Sequence, residues 1–230
     1  MRLDRFLSNL PRFNRKDVRL ALASGRVKVD AQITTNPHHD IREFSCVMVD
    51  DQIIQAGKPA RYFMLHKPQG CVSATVDPQH PTVLDLLDEP DKHELHIAGR
   101  LDFNTTGLML ITNDGHWSRR LTQPQTKSPK VYYVETEQLI DERYIAKFAE
   151  GVYFPFENIT TQPAELIVLG PRCARLSLVE GRYHQVKRMF GHFDNKVLIL
   201  HRERIGALPL DPELEPGRYR ALHAAEIGLF

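Results

Sequence analysis

The stretch GRLDFNTTGL, residues 99–108, places one carboxylate among a basic group, two threonines and two glycines. An ionised carboxylate can attack an electrophilic carbon or stabilise positive charge that develops on a substrate. Asp102 precedes an apolar run, GLMLIT at residues 107–112, which is typical of a buried strand. We therefore expect Asp102 on a loop that enters a rigid sheet, where reactive groups are commonly held. The alternative is a surface Asx turn, which Asp and Asn often form.

The segment KVYYV, residues 130–134, predicts a strand on which Tyr132 and Tyr133 face opposite sides of a sheet. An aromatic ring beside a reactive group can stack on a nucleobase. The alternative is a core tyrosine whose hydroxyl group is hydrogen-bonded. The spacing alone leaves both roles open.

The segment EGRYHQVKRMF predicts a helix over residues 183–193 with one buried face. That face would consist of Val186, Met189, Phe190 and Phe193. Arg188 then lies nearly opposite the buried face, in solvent or on a phosphate, and Lys187 lies at the boundary of the face. A lysine at such a boundary can lay its stem along apolar groups and hold a carboxylate with its ammonium group. A lysine without a partner is the alternative.

No motif in the sequence indicates a metal or a nucleotide cofactor. The histidine pairs at residues 38–39 and at residues 93 and 96 lack a third ligand at a suitable spacing. Phosphate-binding glycine loops and a GxSxG nucleophile motif are absent from the sequence. The three cysteines lie far apart without a CxxC pair, which favours a reducing compartment. We therefore expect no cofactor and no metal.

The composition is that of a globular protein, with 42% hydrophobic and 26% charged residues. The first ten residues, MRLDRFLSNL, contain charges throughout and lack the apolar segment of a signal peptide. No apolar run approaches the ~18 residues of a membrane span. We expect a cytoplasmic protein with no membrane partner.

The first thirty residues predict two short helices followed by a strand. Leu3, Phe6, Leu7 and Leu10 have helical spacing, and Asn14 with Asp17 forms the pattern of a capping box for a second helix that ends at Gly25. RVKVD and CVMVD predict strands. This stretch also carries eight basic residues against three acidic ones, although the whole chain has a net charge of only +1. Residues 181–204 are basic as well, so the chain has two candidate polyanion-binding surfaces or, alternatively, two solvated faces.

After a short linker, QAGKPAR at residues 55–61, the rest of the chain mixes strands and helices without a regular βαβ alternation. The predicted strands are RYFMLHK, GLMLIT, KVYYVET and ARLSLVE, and TVLDLL at residues 82–87 predicts a helix. This pattern favours an α+β fold, in which a mixed or antiparallel sheet is flanked by helices.

Two resemblances cover almost the whole chain. MRLDRFLSNL and NRKDVRLALASGRVKVD resemble an S4-type RNA-binding domain. HKPQG at residues 66–70, GRLDFNTTGLMLITNDG at residues 99–115, KVYYV, and EGRYHQVKRMFGHF at residues 180–193 resemble, in that order, the RsuA-type RNA pseudouridine synthases. The resemblance implies a small S4-like N-terminal domain, residues 1–58, and a larger catalytic domain, residues 59–230.

The resemblance also implies an activity and the residues that carry it. Asp102 would be the nucleophile that converts a uridine to pseudouridine, Tyr132 would stack on the uracil, and Lys187 would be the partner of Asp102. Many relatives have Arg in place of this lysine, and many have Asn in place of His66, to which we assign no role. Thr105 and Thr106 would support the loop through bonds from their hydroxyl groups to the backbone. The implied RNA-binding residues are Arg15, Lys16, Arg19, Arg26, Lys28, Arg100, Arg182 and Arg188.

The implied substrate is 16S rRNA or a small-subunit assembly intermediate, because the chain has no basic tail after EIGLF. The protein would act as a monomer without a small-molecule cofactor. A large-subunit rRNA target and a non-catalytic S4-type protein of RNA binding or ribosome assembly remain open. A glycoside hydrolase is a weaker alternative, because that reaction usually needs two carboxylates and no second one is marked out.

Overall fold

The computed structural model describes residues 1–122 and 128–230. These residues form two compact units, Met1–Ala60 and Arg61–Phe230. The predicted boundary between residues 58 and 59 lies two residues before the observed division. Within the described residues, no helix has both the length and the apolar character needed to cross a membrane.

The first unit packs two short helices against a small antiparallel sheet. Its elements are α1 (Leu3–Ser8), α2 (Arg15–Ala23), β1 (Val27–Val29), β2 (Gln32–Ile33), β3 (Val47–Val49) and β4 (Gln52–Gln55). The strand order is β2-β1-β3-β4. Residues from both helices and from β1 and β3 form a core that belongs to this unit alone. The unit therefore has its own hydrophobic core and its own sheet.

The second helix of this unit begins as its sequence predicts. The Asn14 side chain accepts hydrogen bonds from the backbone N–H groups of Lys16 and Asp17, at 2.8 and 3.0 Å. The Asp17 carboxylate accepts in return from the N–H of Asn14, at 3.2 Å. Gly25 follows the helix with a φ of +67°, a left-handed conformation that favours glycine. The predicted capping box is thus confirmed.

The second unit is built on one large sheet. Its described strands are β5 (Tyr62–Lys67), β6 (His96–Ile97), β7 (Thr106–Thr112), β8 (Lys130–Thr136), β9 (Tyr153–Phe154), β10 (Ile159–Thr160), β11 (Glu165–Gly170), β12 (Cys173–Leu178), β13 (Val197–Ile205), β14 (Leu208–Pro209) and β15 (Tyr219–Ala221). Its described helices are α3 (Gly115–Thr122), α4 (Glu142–Glu150), α5 (Gln185–Gly191) and α6 (Ala224–Ile227), with a 3₁₀ turn at Lys92–Glu94.

The sheet has the order β11-β12-β8-β13-β7-β5-β15, with β6 also paired to β7 and β14 to β13. Its described strand pairs are antiparallel except for β7 and β13, which run parallel. Strands β9 and β10 form a separate hairpin. The predicted α+β class with a mixed sheet and flanking helices is confirmed.

The central strands of this sheet are buried on both faces. Met109 and Ile111 of β7 lie in one core cluster, whereas Leu108 and Leu110 lie in a second cluster with Trp117 of α3. A strand that is packed on both sides has little freedom to shift. It therefore gives a rigid base to the loop that precedes β7, which carries Asp102.

The prediction of a helix at TVLDLL is wrong, since residues 83–86 form turns. The N–H and hydroxyl groups of Thr82 donate to the Asp85 carboxylate, at 2.7 and 2.9 Å, as they would at a helix start. Pro90 follows shortly afterwards, so the segment is too short for helical hydrogen bonds to offset the free-energy cost of helix nucleation. The helix predicted over residues 183–193 is confirmed in shortened form as α5.

Candidate active site

The carboxylate of Asp102 lies between two basic side chains. Lys187 Nζ is 3.2 Å from Asp102 Oδ2, and His184 Nε2 is 3.6 Å from Oδ1. The carboxylate side chain remains 27% exposed. Asp102 is therefore both restrained and accessible to a substrate.

Helix α5 delivers these two basic groups. Val186, Met189 and Phe190 are buried, and they fix the helix against the main core. His184 stands at the N-cap and Lys187 in the first turn, which leaves both free to face the loop. Lys187 is 34% exposed, as expected for a residue at the boundary of the buried face. The structure thus brings together Asp102 and Lys187, as the family resemblance implies.

A buried lysine, Lys67, supports the backbone of the Asp102 loop, which is defined here as residues 100–105. Lys67 has no exposed surface. Its Nζ donates to the carbonyl oxygens of Pro68, Phe103 and Thr105, at 2.9, 3.2 and 2.9 Å. Burial lowers the pKa of Lys67, while the nearby Cys71 thiol and Asp102 carboxylate act in the opposite direction. Two of the three carbonyls lie in the Asp102 loop, so the lysine fixes the backbone around the carboxylate.

Arg202 of β13 joins the two sides of the same loop. Its Nε donates to the Leu108 carbonyl at 2.7 Å and its Nη1 to the Arg100 carbonyl at 3.3 Å. The residue is only 2% exposed, and its Nη2 has no hydrogen-bond partner among the described residues. These bonds tie the segment before Asp102 to the strand after it.

Gly107 allows β7 and β13 to approach closely at this point. It pairs with Arg202 in the parallel ladder and has a φ of +110°. A Cβ atom at Gly107 would stand 2.3 Å from the Arg202 carbonyl oxygen, a distance that no side chain can adopt without displacing backbone. The glycine of the TTGL motif is therefore required by the backbone contact that closes the loop.

Tyr132 lies in the core rather than on the surface. It is 9% exposed and belongs to the core cluster that also contains Leu101, the residue before Asp102. It pairs with Arg202 of β13, which in turn pairs with Gly107 of β7. This register places Tyr132 two strands from the strand that follows the Asp102 loop. The neighbouring Tyr133 donates its hydroxyl to Glu135 at 2.6 Å, which raises the pKa of Tyr133 to about 12.

The predicted support of the loop by threonine hydroxyl groups is wrong in its chemistry. Thr105 is 1% exposed, and its Oγ1 has no partner among the described residues, because the side chain points into the packed interior. The backbone of Thr105 provides the support, since its N–H donates to the Asp102 carbonyl at 3.0 Å. The Thr106 hydroxyl bonds to a side chain, His201 Nδ1, at 2.7 Å.

Arg188 does not lie free in solvent, and its predicted contact with a phosphate stays a prediction. Its Nη1 and Nη2 atoms lie 2.6 and 2.5 Å from the two carboxylate oxygens of Glu157. Its guanidinium also covers the Phe154 ring at 3.7 Å. Local spacing could not indicate this partner, because Glu157 is 31 residues away. Arg188 therefore forms an ion pair with Glu157.

The other basic candidates fall into two groups. Three of them already pair with carboxylates: Arg182 with Glu180 at 3.0 Å, Arg26 with Asp50 at 3.1 Å, and Lys28 with Asp51 at 2.7 Å. The remaining candidates are exposed, and they are Arg15, Lys16 and Arg19 on α2 and Arg100 beside the site. Among the residues that the structure describes, no carboxylate pairs with these four cations, so they are available to a phosphate.

Sequence reasoning missed three residues of this site: Lys67, His184 and Arg202. Lys67 and His184 stand inside motifs that the resemblance covers, but nothing in their local spacing indicates a contact with the Asp102 loop. Arg202 bonds to carbonyls 94 and 102 residues away. Within the described residues, no group of three or more His, Cys, Asp or Glu is placed to hold a metal ion.

Comparison with known proteins bears on what this site does. The profile of a family described as RNA pseudouridylate synthase matches residues 61–192. The chain is 63% identical over 227 residues to the ribosomal small subunit pseudouridine synthase A of Pseudomonas aeruginosa, with 99% of both chains covered. The chain belongs to the RNA pseudouridylate synthase family.

Two further relatives support this membership. The protein of the same name from Escherichia coli is 46% identical over 233 residues, covering 99% of this chain and 98% of its own. A crystal structure described as a pseudouridylate synthase matches the full length of both chains with a TM-score of 0.73 and 39% identity. The family resemblance predicted from the sequence motifs is confirmed. The matched region of the family profile contains Asp102, Tyr132 and Lys187, whereas Arg202 lies beyond it.

Proposed function

We propose that this protein is an RNA pseudouridine synthase that isomerises a uridine of 16S rRNA in the small ribosomal subunit. The observation that carries this proposal is the Asp102 carboxylate, which is paired with Lys187, lies beside His184 and remains open to a substrate. Relatives named for the small ribosomal subunit, similar over nearly the full length, support the substrate.

The reaction needs one reactive carboxylate and no net oxidation. The N1–C1′ bond of uridine breaks, the uracil turns, and C5 bonds to C1′, while C5 loses a proton and N1 gains one. Asp102 enters as the nucleophile, either at C1′ or at the uracil ring, and is released unchanged in both routes. Because atoms and electrons balance within the substrate, the reaction consumes no redox cofactor and no water.

The substrate must present an unpaired uridine. A base inside a helix is out of reach, so the target is single-stranded or flipped out of its stack. We assign Tyr132 to the uracil face, since its ring belongs to the core beside the Asp102 loop. Arg100 is exposed and would meet a neighbouring phosphate.

We assign the first unit, Met1–Ala60, to RNA binding as an S4-type domain. Its support is the exposed set Arg15, Lys16 and Arg19 on α2, together with the sequence resemblance. The partner would be 16S rRNA or a small-subunit assembly intermediate, bound by a monomer in the cytoplasm. Binding through such cations weakens as salt rises, because condensed counterions are released from the RNA.

The test replaces Asp102 in cells that lack the native protein. Wild-type protein should restore one pseudouridine in 16S rRNA, mapped along the whole molecule, and Asp102→Asn should restore none. The amide keeps the shape of the carboxylate but removes its negative charge and its nucleophilicity. RNA binding by Asp102→Asn should stay within about fivefold, since about 1 kcal/mol or less of binding energy is at stake. Pseudouridine formed by Asp102→Asn would contradict the mechanism, and a site restored in large-subunit rRNA would contradict the substrate.

A further inference from the structure

Two stacked rings stand next to the Asp102 carboxylate. The rings of Tyr183 and His184 lie 3.9 Å apart with an interplanar angle of 17°. His184 Nε2 is 3.6 Å from Asp102 Oδ1, whereas Tyr183 is 75% exposed. The stack thus begins at the reactive carboxylate and presents its other ring to solvent.

The backbone holds this stack in place before any substrate arrives. His184 has φ and ψ of 48° and 32°, a left-handed conformation that is uncommon for a residue with a side chain and persists only where the surroundings fix it. Arg188 provides such a restraint, because its Nη1 donates to the Tyr183 carbonyl at 3.4 Å and its N–H donates to the His184 carbonyl at 3.0 Å. Arg188 is in turn fixed by Glu157. The backbone that carries the two rings is therefore restrained.

The chemistry of the proposed reaction gives such a stack a use. When a uridine leaves its helical stack to reach Asp102, the base next to it loses a stacking partner, and this loss opposes binding. An exposed aromatic ring close to the carboxylate can replace that partner, because every nucleobase has a π-face that stacks on aromatic side chains. Tyr132 is unsuited to this second task, since it is only 9% exposed.

We propose that Tyr183, backed by His184, is a stacking platform for the nucleobase that adjoins the target uridine in single-stranded RNA. The inference rests on the proposed function and adds to that function a binding site for the neighbouring base. Stacking of this kind is tolerant of base identity. The platform therefore contributes to the affinity for RNA, and the choice of base falls to other contacts.

The test compares three variants of the full chain on a 16S rRNA transcript, with the initial rate of pseudouridine formation as the readout. Tyr183→Ala should raise KM by roughly tenfold to a hundredfold, the range expected from the loss of one base–aromatic stack. Its kcat should fall by less than about threefold, because Asp102 and Lys187 are untouched. Tyr183→Phe keeps the ring face and should stay within about threefold of the wild-type KM.

Leu139→Ala is the control. Leu139 is also a large exposed side chain, at 61%, and it lies between β8 and α4. This variant should keep the wild-type KM. Thermal melting of all three variants reports whether the fold is retained.

Each contrary result has a distinct meaning. A wild-type KM for Tyr183→Ala would overturn the platform. A Tyr183→Phe variant as impaired as Tyr183→Ala would overturn it as well, because the hydroxyl group and not the ring face would then bind. A wild-type protein that forms no pseudouridine in this RNA, either free or assembled with small-subunit proteins, would overturn the proposed function itself, on which the platform rests.

Discussion

At the scale of single residues, the position of the Asp102 carboxylate depends on buried side chains that bond to the backbone of its loop. Lys67 is the clearest of these, because its buried ammonium donates to two carbonyls of the Asp102 loop and to Pro68. A misplacement of a reactive group by about 1 Å can cost a hundredfold in rate. A residue that fixes the loop backbone is therefore as important to the rate as one that contacts the carboxylate.

We expect Lys67→Met to lower kcat by about tenfold or more with little change in KM, because the loop loses its anchor while the RNA-contacting surface is kept. The net change in the free energy of unfolding should be within about 2 kcal/mol, since the lost hydrogen bonds are offset by removal of a desolvated charge. Rates at saturating RNA and urea unfolding measure the two quantities. Lys196→Met, at an exposed lysine, is the control. An unchanged kcat for Lys67→Met would refute the anchoring role.

Some residues of the site could be predicted from the sequence, and others could not. Local patterns predicted that Asp102 lies on a loop before a strand and that Lys187 lies at the boundary of a helix face, whereas only the family resemblance indicated that the two residues pair. Lys67 and Arg202 could not be predicted, because both bond to backbone carbonyls that are distant in the chain and that any residue would supply. Because every residue has a backbone carbonyl, the type of residue in the sequence does not indicate which carbonyl accepts such a hydrogen bond.

At the scale of elements, local signals predict structure where the contacts are local. The capping box of α2 uses Asn14 and Asp17, three residues apart, so its residues alone determine the helix start. Helix α5 differs, since the predicted start at residue 183 is displaced to Gln185. The left-handed His184 interrupts the helix there. The periodicity of the apolar residues predicts neither the stacking of its ring on Tyr183 nor its proximity to Asp102.

An ion pair between Arg220 and Glu226 joins the C-terminal elements β15 and α6. Arg220 donates to both carboxylate oxygens of Glu226 at 2.8 Å and to Asp211 at 2.6 Å. The hydrogen bonds from Arg220 hold the pKa of Glu226 at about 2. A carboxyl group whose folded pKa lies below its unfolded value contributes stability above the unfolded pKa and loses it as pH falls towards the folded pKa. This contribution is therefore present at neutral pH and disappears between about pH 4.5 and pH 2.

We expect Glu226→Gln to lower the free energy of unfolding by about 2 kcal/mol at pH 7 and to differ progressively less from the wild type as pH falls to 2. Urea unfolding at a series of pH values measures this difference. Glu215→Gln changes an exposed carboxylate on the same segment and should follow the wild-type curve throughout. A Glu226→Gln curve parallel to that of the wild type over this range would refute the assignment.

At the scale of the whole molecule, the two units have separate cores. The core of Met1–Ala60 draws its buried residues from positions 3 to 49, and the clusters of Arg61–Phe230 draw theirs from positions 63 to 222. Each unit also has its own sheet. A unit that buries its own apolar surface needs no neighbour in order to fold. The proposed catalysis and the proposed binding of RNA phosphates by α2 would therefore lie in separable parts of the chain.

We expect a chain of residues 61–230 to keep the circular dichroism of a folded protein and to bind 16S rRNA more weakly than the full chain. In the full-length protein, neutralising Arg15, Lys16 and Arg19 together with Gln should reproduce part of that loss. It should also reduce the slope of log K against log salt by about two, the value expected for three lost phosphate contacts on single strands. A fragment without folded structure would refute the division into units. An unchanged affinity and salt slope in the triple variant would refute the role of α2, because only those three charges differ from the wild type.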